Sequence, residues 1–184
     1  MKKILISARD LNIGGIEKSL ITLIDYLVEH GYIVTLVLEK IEGEYLKKLN
    51  SNVKVIKYMP CSISFMPLRK CINFLKRINF EIKYKKRFDV AISYATYSKV
   101  CSYVVRKAST NSILWCHADY LALFNNDRQE VKQFFEGIKY KEFSKIVFVS
   151  KTAKKTFLDI FPKQQNVYFC NNLINAKEIK KLSQ

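Results

Sequence analysis

The sequence predicts an α/β domain built on a doubly wound, mostly parallel sheet with helices on both faces. Three observations lead there. Short apolar runs alternate with stretches of helical periodicity along the whole chain. The runs are apolar throughout rather than at every second residue, and only five glycines and three prolines punctuate the pattern. Strands that are covered on both faces read as continuous apolar runs, and strands alternating with helices pair in parallel.

The elements follow in order. Lys3 to Ser7 is an apolar run of strand length. Ile16, Leu20, Leu23, Ile24, Leu27 and Val28 then recur at helical spacing, and Gly31 supplies the stop. Ile33 to Glu39, rich in β-branched residues, is a second strand. Glu44 to Asn50 forms a short helix, and Val53 to Tyr58 a third strand closed by Pro60. A basic helical stretch over Leu68 to Arg87 leads to a strand at Asp89 to Tyr94 and a helix at Lys99 to Lys107. Ser112 to Cys116 is a fifth strand, Glu130 to Phe143 a helix and Lys145 to Ser150 a sixth strand. Thr152 to Ile160 is a helix stopped by Pro162, Val167 to Cys170 a last strand, and Ala176 to Leu182 the start of another helix. Residues 1–175 thus form one Rossmann-like domain, with 176–184 opening a linker or helix.

Composition narrows the class. A chain of 184 residues suits one well-packed domain. No run reaches the ~18 apolar residues that cross a bilayer. After Met1-Lys2-Lys3 the apolar stretch is cut off at Arg9-Asp10, too early for a signal-peptide core, so it reads as a buried first strand and the expected location is the cytoplasm. Five cysteines include no C-x-x-C pair and no histidine at zinc spacing. They are expected to act as small hydrophobes, mostly within apolar runs, with no metal site and no cofactor.

The net charge of +16 speaks about partners rather than fold. The classes it admits are nucleic acid, an anionic membrane surface and phosphate-bearing substrates. Scattered surface lysines explain part of the excess but not its clustering. Between residues 68 and 87, Leu68, Ile72, Leu75, Ile78 and Ile82 fall on one helical stripe. Arg69, Lys70, Lys76, Arg77, Lys83, Lys85, Lys86 and Arg87 line the rest, opposed only by Glu81. Two readings stand side by side: a sheet-covering helix with a basic outer face, or a membrane-surface helix. Phe65-Met66-Pro67, placed to insert at an interface, favours the membrane, where each basic residue near an anionic leaflet is worth ~1 kcal/mol. No recognition motif supports nucleic acid.

In doubly wound sheets ligands bind beyond the C-terminal ends of the strands, near the reversal of strand order. The first such loop delivers Gly14-Gly15 to a helix N-terminus, where backbone N–H groups and the dipole favour an anion. A plain tight turn is the alternative. Glu39 sits where a ribose-binding acid would, but G-x-G-x-x-G is absent and a dinucleotide is not expected. His117, with Asp119 two residues on, faces the pocket and can donate, accept or titrate near neutrality, unless it is a structural histidine satisfied by its neighbours. His30, beside Gly31 at a helix end, is explained by the dipole. No nucleophile motif or close carboxylate pair is present.

Three segments together resemble the GT-B glycosyltransferases of family 4. Asn12-Ile13-Gly14-Gly15-Ile16-Glu17 resembles that family's GG-x-E opening, and Val147-Phe148-Val149-Ser150-Lys151 its V-S segment. Val167 to Asn175 resembles the passage that closes its N-terminal domain, with Asn172 and Asn175 in place of the usual glycine and aspartate. The resemblance implies one half of a GT-B fold. Its activity would be retaining transfer from a nucleotide-sugar donor to a glycan acceptor, lipid-linked in many relatives that build cell-surface polysaccharide at the inner face of the membrane. It further implies that Gly14 and Gly15 face donor phosphates and acceptor, that His117 lines the site beside the transferred sugar, and that Asn172 sits at the interdomain cleft. The donor-binding C-terminal domain is expected in cis or in trans, since no E-x7-E segment lies within these residues, and the 184 residues alone are expected to be inactive. The alternative is a non-catalytic membrane-surface module or a subunit of a split enzyme.

Overall fold

In the computed structural model, which describes residues 1–173, the chain reverses its strand order once, and that reversal organises everything else. The elements are β1 (Lys3–Ala8), α1 (Gly15–Glu29), β2 (Ile33–Leu38), β3 (Lys54–Lys57), α2 (Met66–Tyr84), β4 (Val90–Ser93) and α3 (Lys99–Ala108). They continue with β5 (Ser112–Cys116), α4 (Tyr120–Leu123), α5 (Arg128–Gly137), β6 (Lys145–Phe148), α6 (Lys151–Ile160) and β7 (Val167–Phe169). Short 3-10 turns occupy Glu44–Lys48 and Tyr140–Glu142. The strands form a seven-stranded sheet in the order β3-β2-β1-β4-β5-β6-β7, parallel at every pairing. This is the doubly wound, Rossmann-like sheet the sequence predicts. The expected helix at Ala176 to Leu182 lies outside the described residues.

Alternate residues of each strand feed two cores. On one face Ile4, Ile6, Leu36 and Leu38 pack with Leu20 and Ile24 of α1. On the other, Leu5, Ala91, Leu114, Ile146 and Phe148 pack beneath Val104 of α3, Phe135 of α5 and Phe157 of α6. Side-chain caps fix where several helices begin: Ser98 accepts from Val100 and Cys101, Asp119 from Leu121 and Ala122, Asp127 from Gln129 and Glu130, and Ser150 from Ala153. Gly31, at φ 78°, ends α1 as expected.

At four places the structure adds to the sequence reading, corrects it or decides between its alternatives. The helix expected over Glu130 to Phe143 starts earlier and ends at Gly137, because the chain turns through Lys139 in the left-handed region at φ 59°. The four-residue α4, nucleated by the Asp119 cap, had no periodic signal to announce it. Of the cysteines only Cys101 and Cys116 are buried, while Cys71 and Cys170 are exposed. Lastly, α2 does not cover the sheet with its apolar stripe. Phe80 is its one buried residue, packed against Tyr58 and Tyr84, whereas Leu68, Leu75, Ile78 and Ile82 point to solvent. The inner side is polar or aromatic instead: Asn73 holds the backbone of Cys61 at both N–H and carbonyl, Lys76 donates to the Met59 carbonyl, and Glu81 accepts from Tyr103.

Two loops at the C-terminal edge are joined rigidly. The Leu11 N–H donates to the Glu42 carbonyl and the Leu11 carbonyl accepts from Tyr45 N–H. Between them Gly43 adopts φ 117°, and a Cβ there would lie 2.0 Å from the Leu11 carbonyl carbon. Gly43→Ala is therefore expected to cost at least about 2 kcal/mol in urea unfolding, from left-handed strain plus backbone collision. Gly31→Ala, with open space around it, should cost about 1 kcal/mol. Equal losses in the two variants would show that the Leu11 contact is not what fixes this glycine.

Candidate functional site

Because β1 lies between β2 and β4, the chain leaves β1 toward one face through α1 and leaves β4 toward the other through α3. In sheets of this topology two such departing loops diverge and leave a crevice at the strand ends, the expected ligand position. Three ring systems line its α1 side, each carried by strand alternation. Tyr94 follows β4 on the face of Ile92, and Trp115 and His117 share the face of Ile113 on β5. Tyr94 is buried, stacks on Trp115 at 5.8 Å, and lies 4.4 Å from the His117 ring. Its hydroxyl meets Ser19 Oγ at 2.8 Å, tying the crevice to the first turns of α1.

The polar atoms here are unusual in lacking partners. Trp115 Nε1, His117 Nε2 and Asn172 Oδ1 are all buried without a hydrogen-bond partner, as is Ser93 Oγ on the α3 side of the sheet. Buried polar groups are nearly always paired, so these atoms are left for a ligand to meet, Trp115 and His117 beside Tyr94 and Asn172 on the segment after β7. Asn172 arrives on the segment after β7, where Cys170 approaches Tyr94. Burial pushes the Tyr94 phenol up to about 12, the Ser19 bond opposes that shift, and the Cys170 thiol adds to it. The donor and acceptor set is neutral: an indole N–H, an imidazole and an amide carbonyl. It fits a hydroxyl-rich ligand, which offers both donors and acceptors.

His117 departs from its expected behaviour in two ways. Burial drives its imidazole down from 6.5 to about 4, so it is uncharged near neutrality instead of titrating there. Asp119 is also not its partner, since that carboxylate caps α4 and accepts from Thr156 Oγ1 at 3.2 Å. His30 makes only a local contact, Nδ1 to the Tyr26 carbonyl at 2.7 Å. Glu39 is likewise committed to structure, accepting from Ser98 Oγ and Cys101 Sγ at the start of α3.

Gly14 and Gly15 do stand at the start of α1, with Gly14 as the N-cap. Gly15 has open space where a Cβ would be, but Glu17 folds back so closely that a Cβ on Gly14 would lie 2.2 Å from its Oε2. The helix dipole is thus already met by a carboxylate from within the same turn. Tyr97, Asp10 and Glu17 share this mouth, for burial raises the Tyr97 phenol and the two carboxylates add to the shift. Arg69, Lys70, Lys76, Arg77 and Lys83 all lie on α2, on the opposite side of the sheet from α1 and apart from the crevice. Among the described residues no three His, Cys, Asp or Glu side chains converge as metal ligands, and no helix is long and apolar enough to cross a membrane.

Residues 13–178 match the family model described as Glycosyltransferase Family 4. The fold matches HepE of Anabaena, solved with UDP-glucose, at a TM-score of 0.69 and 13% identity, over 100% of this chain and 49% of that one. An alpha-glucosyltransferase solved with UDP matches at 0.57 and 16% identity, over 98% of this chain and 46% of that one. WaaG, a glycosyltransferase involved in lipopolysaccharide biosynthesis, matches at 0.56 and 10% identity, over 98% and 50%. The chain therefore spans about half the length of these structures. No curated protein matches the sequence.

The depressed pKa of His117 has a consequence for stability. The folded protein takes up this proton only near pH 4, the unfolded chain already near 6.5, so the unfolded state holds more protons in between. Stability is thus fully present above about pH 6.5 and falls as pH drops toward 4. From pH 7.5 to 5 the loss should be about 2 kcal/mol. His117→Gln is expected to remove that increment from the difference between urea titrations at the two pH values. An unchanged difference would mean the imidazole is not held neutral.

Proposed function

Since this chain belongs to glycosyltransferase family 4, we propose that it forms the acceptor-side half of a retaining, nucleotide-sugar-dependent glycosyltransferase. The observation that carries this reading is that Trp115 Nε1 and His117 Nε2, both beside the Tyr94 ring, and Asn172 Oδ1 after β7 are buried and unpartnered. Such a set matches sugar hydroxyls, each of which donates one hydrogen bond and accepts others. HepE, to which the fold is similar, was solved with UDP-glucose, which supports a nucleotide sugar as donor.

In this reading His117 hydrogen-bonds a hydroxyl of the transferred sugar as a neutral imidazole. It is not a cation for the leaving diphosphate, because burial keeps it uncharged at neutral pH. Trp115 and Asn172 fix the acceptor's orientation, with Tyr94 as the floor. The chain's own contribution is positioning, which lowers the entropic barrier to bringing two sugars together. Charge stabilisation of the diphosphate falls to the second, donor-binding domain, in cis or in trans, with the loop at Gly14 and Gly15 completing the phosphate side. For that, Glu17 must swing away from Gly14. The acceptor is a glycan, lipid-linked and destined for cell-surface polysaccharide, worked on at the cytoplasmic face of the membrane. The outward apolar stripe of α2 supports the lipid, and no metal is invoked.

Two preparations test this. The 184 residues alone are expected to show no turnover with any nucleotide sugar. Native material captured from source cells through this domain, with whatever polypeptide completes it, should transfer labelled sugar to extracted lipid. In the native material His117→Ala is expected to lower kcat roughly 100-fold or more. Trp115→Phe, which keeps an aromatic ring but deletes the indole N–H, should raise the acceptor KM about tenfold while leaving the donor KM unchanged. Turnover by the isolated 184 residues, or none from the native material, would sink the proposal.

A further inference from the structure

Tyr97 stands at the tip of a turn that its neighbours lock. The Ser98 N–H donates to the Ala95 carbonyl at 3.0 Å and closes the turn. Thr96 Oγ1 donates to the Trp115 carbonyl at 2.6 Å, while Ser98 caps α3 and its hydroxyl donates to Glu39. Both of those residues are buried, yet Tyr97 between them is 50% exposed. An exposed aromatic on a loose loop is ordinary surface. One held between two buried anchors has already given up the freedom that binding would otherwise take from it. Through Thr96 the turn is also bonded to the strand that carries Trp115 and His117.

The charge around this ring runs against that of the chain. Ser7 pairs with Ser93, so the segments that reach Asp10 and Tyr97 leave adjacent strands at the same edge. Glu17 stands in the first turn of α1. Burial raises the Tyr97 phenol, Glu17, Asp10 and the Cys101 thiol add to the shift, and Arg9 opposes it, so groups from both departing loops act on one hydroxyl. Asp10 is held in place, its Oδ1 accepting from the Asn12 N–H at 3.1 Å with Arg9 Nε 3.8 Å from its Oδ2. Glu39, under Ser98, adds another acid. The chain has 32 basic residues against 16 acidic ones, yet here Asp10, Glu17 and Glu39 face Arg9.

We propose that Tyr97 is a stacking platform for one pyranose of the acceptor, with Asp10 and Glu17 accepting from its hydroxyls and restricting this position to neutral or amino sugars. The proposal rests on the transferase reading and names the class of acceptor sugar. A pyranose has a C–H face and a rim of hydroxyls. The phenol ring offers an apolar face for the first, and carboxylates, which only accept, suit the donors of the second. An ammonium group on the sugar would gain from the same carboxylates. A uronate or sugar phosphate would set like charges side by side. Once Glu17 leaves Gly14, its carboxylate is free to meet the sugar.

The test uses the 184-residue chain without donor, so turnover is not read. Maltose, the disaccharide of glucosamine in its ammonium form and a disaccharide of galacturonate are titrated by calorimetry. Contact at the platform is read by NMR from isotope-labelled tyrosine rings, with Tyr97→Phe assigning the signal. Maltose and the amino disaccharide should bind and shift the Tyr97 signal, and the uronate should bind about tenfold more weakly or worse. Tyr97→Ala is expected to weaken maltose binding about tenfold, whereas Tyr97→Phe keeps the ring face and the affinity. Asp10→Asn with Glu17→Gln should strengthen uronate binding about tenfold. An unchanged thermal melt checks folding in each variant. No binding of maltose, uronate binding as tight as maltose, or affinity indifferent to Tyr97→Ala overturns the platform. Native material would still transfer sugar in that case, so this failure and that of the transferase reading are told apart.

Discussion

Every strand of the sheet points the same way, and the structure follows from that constraint. Parallel pairing requires a crossover between strands, and buried strands need cover on both faces, so α1 lies on one face and α2, α3, α5 and α6 on the other. All the loops that follow strands then gather along one edge. The single reversal between β1 and β4 separates two of them, and residues as distant as Ser19, Tyr94 and His117 come to one place. No local propensity in any of those segments could do this.

Much of that frame was legible in the sequence because burial on both faces leaves strong signals. Unbroken apolar runs gave all seven strands to within two residues at either end, and the run from Ile16 to Val28 with its closing glycine gave α1. His117 was legible by position, as the first residue past a strand. Trp115 and Tyr94 could have been found by the same logic. Side chains alternate across a strand, so the residue two before His117 must share its face, and Tyr94 occupies the matching place after β4.

The rest was hidden because it depends on where side chains turn after the backbone is placed. Asp119 looks like a partner for His117 in sequence, yet caps follow φ/ψ at a helix start, and the carboxylate goes to α4 and Thr156. Glu39 sits at a ribose-binding position but is taken up by Ser98 and Cys101. Glu17 occupies the helix terminus that two glycines seem to leave open. For α2, periodicity defined the stripe without saying which way it would face. The deciding contacts are Asn73 on Cys61, Lys76 on Met59 and Phe80 among tyrosines, all on the opposite side of the helix. The spacing of apolar residues tells which side of a helix is greasy about its own axis, and leaves open how that axis is rolled against the protein.

The fit of Gly43 against Leu11 carries a lesson about heredity. The β1–α1 loop meets the crevice, and its backbone is bonded on both sides to the loop that leads into the first 3-10 turn. Neither can drift alone: a change in length or at the glycine in one must be answered in the other. The two segments, some thirty residues apart in the chain, should thus be passed on as one cassette. A chimera that borrowed the first loop from a relative without the second would join halves never selected to meet.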